Sequence, residues 1–104
     1  VLDHCESLRS TDDDISIRST SSRCIVRNCV VDYANYTGMG TAGIFIDGTS
    51  TNNIVAGCIV NAGGLVGIEN QGGTTNRIYS CISENNAGGN FSGVNLTAIG
   101  DGTG

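Results

Sequence analysis

A chain of 104 residues with a formal charge of −5, 38% apolar residues and 16 glycines carries only 14% charged residues against about 25% in ordinary soluble domains, and it has no lysine, proline or tryptophan. Its five basic residues, Arg9, Arg18, Arg23, Arg27 and Arg77, are scattered and form no stripe for neutralising phosphates, which argues against a nucleic-acid partner. No apolar run approaches the ~18 residues needed to cross a bilayer, and the first residues lack a basic start followed by an apolar leader, so neither membrane insertion nor an intact signal peptide is expected.

Read in chain order, short apolar segments recur. Val1-Leu2-Asp3-His4-Cys5 is followed by Asp14-Ile15-Ser16-Ile17. Ile25-Val26-Arg27-Asn28-Cys29-Val30-Val31 is followed by Gly43-Ile44-Phe45-Ile46 and the polar turn Asp47 to Asn53. Ile54-Val55-Ala56-Gly57-Cys58-Ile59-Val60 leads to Val66-Gly67-Ile68-Glu69 and the turn Gln71 to Asn76. Arg77-Ile78-Tyr79-Ser80-Cys81-Ile82-Ser83 leads to Gly93-Val94-Asn95-Leu96. Each segment is three to seven residues long, rich in β-branched side chains and bounded by Gly, Asn, Thr or Ser, as short strands are. No window has the period of an amphipathic helix.

The spacings Cys5–Cys29, Cys29–Cys58 and Cys58–Cys81 are 24, 29 and 23 residues, which divides the chain into four copies of one unit. A unit this small cannot bury its own apolar face, but stacked copies can, with like residues aligned in ladders. The expected ladders are Leu2/Val26/Val55/Ile78, Cys5/Cys29/Cys58/Cys81 and Ile15/Ile44/Ile68/Val94. An odd total of five cysteines, with no CxxC pair, predicts free thiols acting as small buried hydrophobes, no metal site and no cofactor. Reduced thiols point to folding in a cytosol.

With Ile-x-x-Cys segments, Gly-Ile-x-Ile strands and Asn-rich turns, the chain resembles the right-handed parallel β-helix of pectate lyases, polygalacturonases and bacteriophage tailspikes across its whole length. The resemblance implies an all-β solenoid of about four coils, with residues 1–104 a single segment of a longer protein or one sealed by partner chains. If the likeness is to tailspikes, the assembly is a homotrimer or a larger virion structure.

Chemistry has two candidate places. In Thr11-Asp12-Asp13-Asp14, adjacent carboxylates before a strand suit general acid and base work on a glycosidic bond, with Glu69 a further carboxylate able to pair with Asp13 or Glu84. Asp12 and Asp13 also resemble the paired aspartates of polygalacturonases, although Ala42 stands where that family has histidine and no Arg-x-Lys follows Ile68. The plainer reading makes Asp12 to Asp14 a solvated turn. The single histidine, His4, precedes a core cysteine on an outward position and reads as a surface residue.

From the ladder cysteine to the following strand the spacing is 9 residues at Asp14 and Gly67, but 14 at Gly43 and 12 at Gly93. Two insertions are therefore expected at one corner, carrying Tyr33, Tyr36 and Phe91, where aromatic rings beside Asp, Asn and Thr suit carbohydrate. The rings could equally pack on the chain beneath them or on a neighbouring subunit. Ser16, Phe45, Glu69 and Asn95 form the adjoining outward row, so Tyr33, Tyr36, Phe45, Phe91 and Asn95 are the carbohydrate-binding candidates. The sequons at Asn35, Asn90 and Asn95 arise easily in so Asn- and Thr-rich a chain.

The leading expectation is a tailspike-like or tail-fibre-like phage segment that recognises, and in one form degrades, a bacterial surface polysaccharide, folded in the host cytoplasm and carried on the virion. The alternatives are a purely structural spacer or virion decoration, and a fragment of a secreted bacterial polysaccharide lyase or glycoside hydrolase.

Overall fold

The structure is a computed structural model that describes residues 1–8, 15–32 and 42–93. Each sequence repeat contributes three short strands. They are β1 (Leu2–Asp3), β2 (Glu6–Leu8) and β3 (Ile15–Ile17), then β4 (Ile25–Arg27), β5 (Val30–Asp32) and β6 (Ala42–Ile46). The third and fourth repeats give β7 (Ile54–Ala56), β8 (Ile59–Asn61) and β9 (Val66–Asn70), followed by β10 (Arg77–Tyr79), β11 (Ile82–Glu84) and β12 (Phe91–Ser92). There is no helix among the described residues.

Three four-stranded sheets result, ordered β1-β4-β7-β10, β2-β5-β8-β11 and β3-β6-β9-β12. Every strand pair is parallel. Successive strands thus lie in different sheets, and each sheet takes one strand from every repeat. Three-residue strands are too short to be stable alone, and alignment with the same strand of the next repeat supplies their backbone partners.

Register places like on like. Leu2, Val26, Val55 and Ile78 form one file, Val31 and Val60 align in the second sheet, and Ile15, Ile44 and Ile68 in the third. Their side chains converge with Cys29, Cys58 and Cys81 in one apolar core. Each fully buried Val or Ile there contributes about 1.5–3 kcal/mol relative to exposure. All five thiols are free, and Cys29, Cys58 and Cys81 are buried.

The first and second sheets meet at a tight corner that recurs in every repeat. The residue before each cysteine, His4, Asn28, Gly57 or Ser80, is left-handed, with φ of 55°, 55°, 63° and 53°. That conformation reverses the inward-outward alternation by one step, so that Arg27 points outward and Cys29 inward. The cysteine carbonyls then accept from the next repeat, Val30 N to Cys5 O at 2.8 Å and Ile59 N to Cys29 O at 2.9 Å.

The turn returning from the third sheet to the first is built differently. Asn53 is fully buried, Asn76 nearly so. Asn53 Oδ1 accepts from Cys24 N at 2.9 Å, and Asn76 Oδ1 accepts from both Asn53 N at 2.9 Å and Asn53 Nδ2 at 3.1 Å. Asn76 Nδ2 donates to Ser50 O and to Asn70 Oδ1. Cys24 therefore stands in the file that asparagine holds in the next two repeats, which accounts for a fifth cysteine outside the main column.

One ladder assignment needs correction. Phe91, not Val94, pairs with Ile68, and Ser92 pairs with Glu69. Phe91 packs against the core, where its ring fills the position that isoleucine holds in the other repeats. Gly93 is left-handed, with φ of 66°, and a side chain there would collide with the Asn70 carbonyl, so it belongs to a turn rather than a strand. From cysteine to ladder residue the first, third and fourth repeats each span ten residues, and only the second, from Cys29 to Ile44, is longer.

Candidate functional site

Of the sequence candidates, Asp12, Asp13, Tyr33, Tyr36 and Asn95 lie outside the described residues. The other three can be placed. Glu69 sits mid-strand in β9, beside Phe45 on one side and Ser92 on the other, with Oε2 accepting from Gln71 Nε2 at 2.6 Å. Glu84 ends β11 in the second sheet, opposite Asn61, so the two glutamates belong to different sheets.

Phe45 has the expected register, aligned with Ser16 and Glu69, but the expectation that it is exposed is overturned: it is only 4% accessible. The Arg18 guanidinium lies 4.6 Å from its ring centroid, a cation–π contact that covers the ring. Phe91, expected in an exposed insertion, is corrected to the strand position already described, half-buried on the core. The outer row of the third sheet therefore reads Ser16, Phe45, Glu69 and Ser92. Asn90, of the sequon beside Phe91, has its Oδ1 taken by Asn86 Nδ2 at 3.2 Å.

Two surface groupings lie on the first sheet, where the sequence reading placed none. Asp3 accepts from Arg27 Nε at 3.2 Å and from Asn28 Nδ2 at 3.3 Å, with His4 Nδ1 2.8 Å from Oδ1. Desolvation pushes the Asp3 carboxyl up, but the Asn28 hydrogen bond and the Arg27 and His4 charges outweigh it and hold the group below the usual carboxylate range. His4 is 77% exposed, as its outward position implied. At the other end of the same face Tyr79 is 38% exposed, with the Arg77 guanidinium 5.6 Å from its ring centroid. The signal was present in the sequence: Asp3, Arg27, Ala56 and Tyr79 each stand two residues before a ladder cysteine, and so share one outward file.

The polar turns hold a third cluster. Asp47 Oδ2 accepts from Ser19 N at 2.8 Å, and Oδ1 from Thr49 N, Thr49 Oγ1 and Ser50 Oγ at 3.1, 2.9 and 2.8 Å. The Ser19 amide, followed by the Ser50 hydroxyl, lowers the Asp47 pKa to about 2. Its two oxygens tie the turn of one repeat to that of the repeat before, a structural use of the carboxylate. Among the described residues no group of three His, Cys, Asp or Glu side chains is placed to hold a metal ion. Compared with family models, curated proteins and solved structures, the chain matches none.

Proposed function

We propose that the chain is a right-handed parallel β-helix segment of a tailspike-like or tail-fibre-like phage protein that recognises a bacterial surface polysaccharide. The observation that carries the reading is the cyclic visit of each repeat to three parallel sheets, which leaves long outward files of side chains across neighbouring repeats. A polymer of repeating sugars suits such a surface, because successive repeats can each supply a few polar groups and a ring. Free cysteines inside the core support folding in a reducing cytosol before export on a virion. Homotrimerisation belongs to the same proposal.

Recognition is favoured over cleavage by the use to which three of the described carboxylates are put. Asp47 is locked in a turn, Asp3 is paired with Arg27, and Glu69 takes the Gln71 amide. The catalytic form of the proposal rests on Asp12 and Asp13. Incubating the protein with capsule or lipopolysaccharide, then measuring both retention and released oligosaccharide, tests it: retention without products is expected, and absence of retention on every host glycan would overturn it.

A structural spacer is the second reading. What favours it is that two of the rings expected to meet sugar, Phe45 and Phe91, are spent on packing.

A further inference from the structure

Across the outer face of the first sheet, the file Asp3, Arg27, Ala56, Tyr79 changes size abruptly. Arg27 and Tyr79 are both direct neighbours of Ala56, and the corner file beside it runs Asn28, Gly57, Ser80. The third repeat therefore offers only the Ala56 methyl group, and beside it a glycine over which the Asn28 amide oxygen leans, between an arginine–asparagine pair on one side and a tyrosine–serine pair on the other. Adjacent parallel strands are about 4.8 Å apart, so the strands carrying the two walls stand roughly 10 Å from each other axis to axis, and the narrower gap between their side chains suits a sugar ring lying edge-on against the tyrosine. Gly57, with φ of 63°, leaves room for the Asn28 side chain, whose Oδ1 would lie 2.7 Å from a Cβ placed there.

The walls have distinct chemistry. Tyr79 presents a partly exposed ring whose position is steadied by Arg77, and a ring of this kind stacks on the apolar face of a sugar. Arg77 is exposed and has no carboxylate partner among the described residues, unlike Arg27, whose charge is matched by Asp3. An arginine without a counter-charge, held beside an aromatic platform, suits a ligand that brings its own carboxylate, which it can bind by a forked pair of hydrogen bonds. On the facing wall the Asp3–Arg27–Asn28 group offers both donors and acceptors to hydroxyls.

We infer that the depression over Ala56 and Gly57, between Tyr79 with Arg77 and the Asp3–Arg27–Asn28 cluster, is a subsite for a carboxylate-bearing sugar residue of a polysaccharide. The inference rests on the polysaccharide reading above and adds to it a place and a sugar class. It lies on the first sheet, away from the third-sheet row.

The test uses the whole chain and a panel of purified bacterial capsular polysaccharides, some uronate-bearing and some neutral, with affinity read by biolayer interferometry. Wild type should retain at least one uronate-bearing polymer. Tyr79→Ala should weaken that binding at least tenfold and Arg77→Gln about tenfold, while Arg77→Gln leaves any neutral polymer within twofold. Ala56→Ile, which fills the depression while leaving both wall residues unsubstituted, should also abolish retention. Far-UV circular dichroism and the urea midpoint of each variant confirm that an exposed change has left the fold intact, and Tyr79→Phe should keep most of the affinity. Uronate binding by wild type that survives all three substitutions overturns the subsite and leaves the polysaccharide reading standing, as does retention of neutral polymers alone. Retention of nothing removes both.

Discussion

The two recurring turns solve the same problem, satisfying the backbone at a sharp change of direction, with opposite materials. At the cysteine corner one left-handed residue reverses the alternation and a small apolar thiol drops into the core, so that the backbone needs only the strand hydrogen bonds of the next repeat. At the asparagine turn the backbone is longer and irregular, and buried amides of Asn53 and Asn76 must take up Cys24 N, Asn53 N and the carbonyls of Ser21 and Ser50. The apolar corner tolerates loss of its side chain in proportion to the volume removed. The polar turn does not, because each amide serves several partners that water cannot reach once it is gone.

The largest expected effect tests what both turns depend on. Val55, fully buried in the first-sheet file, has apolar neighbours above and below, and Val55→Asp would leave an unpaired charge among them. Loss of the β circular dichroism signal at 25 °C is expected; a folded Val55→Asp protein would show that the inward file is misassigned.

Asn53→Leu comes next. It keeps the heavy-atom shape but strands Cys24 N and leaves the Ser21 carbonyl with Thr51 N alone, and urea unfolding should show a loss of about 2–3 kcal/mol. Cys58→Ala at the other turn removes only a thiol whose bonds to Val26 O and Ala56 O are long, at 3.8 and 3.5 Å, and should cost about 1–2 kcal/mol. If the order of these two is reversed, the contrast between the turns is wrong. Native Cys58 should also resist thiol reagents, since hydrogen bonding with the Cys81 thiol, then burial, pushes its pKa far up.

Acid separates the turns more gently. The folded Asp47 pKa of about 2 lies below the ordinary 3.8, so its contribution is complete above about pH 4 and is lost as the pH falls towards 2. Asp47→Asn should flatten that part of the stability curve, whereas Cys58→Ala should leave it unchanged. The smallest effect belongs to the corner: Ser80 holds a φ of 53° that glycine adopts freely, and Ser80→Gly should raise stability by about 0.5–1 kcal/mol in the same unfolding measurement.

The sequence made the apolar ladders legible because strands of two-residue period advertise which side chains face in. It concealed three things. Gly93-Val94 imitates Gly43-Ile44, and only the fit of a phenyl ring above Ile68 decides for Phe91. Asn53 and Asn76 look like solvated turn residues, since a buried amide differs from an exposed one only in the company kept by its neighbours in other repeats. Phe45 is on the expected outward file, but its cover, Arg18, stands just past the end of β3, two residues beyond Ser16, and shows as a cover only once Ser16 and Phe45 are paired. For the candidate site the expectations fell on the third-sheet row and the loops; the outward file two residues before each ladder cysteine, with its size step at Ala56, stands out only once the strand register sets Arg27, Ala56 and Tyr79 side by side.

The alignment of Asn53 with Asn76 also fixes the lengths in which this molecule can be edited. The two residues stand 23 positions apart and occupy the same place in successive layers. Excising residues 53–75 would join Asn52 to Asn76 across an unchanged turn and remove β7, β8 and β9 together, one strand from each sheet, leaving β4 to receive β10. Removing a single residue from within a strand would instead turn the later side chains of that strand to the wrong side. Genetic variation by whole units, or within the turns, where the 24-, 29- and 23-residue spacings already differ, is therefore nearly silent to the fold while a single-residue change within a strand is not, and a lineage carrying this chain can lengthen or shorten its surface in discrete steps.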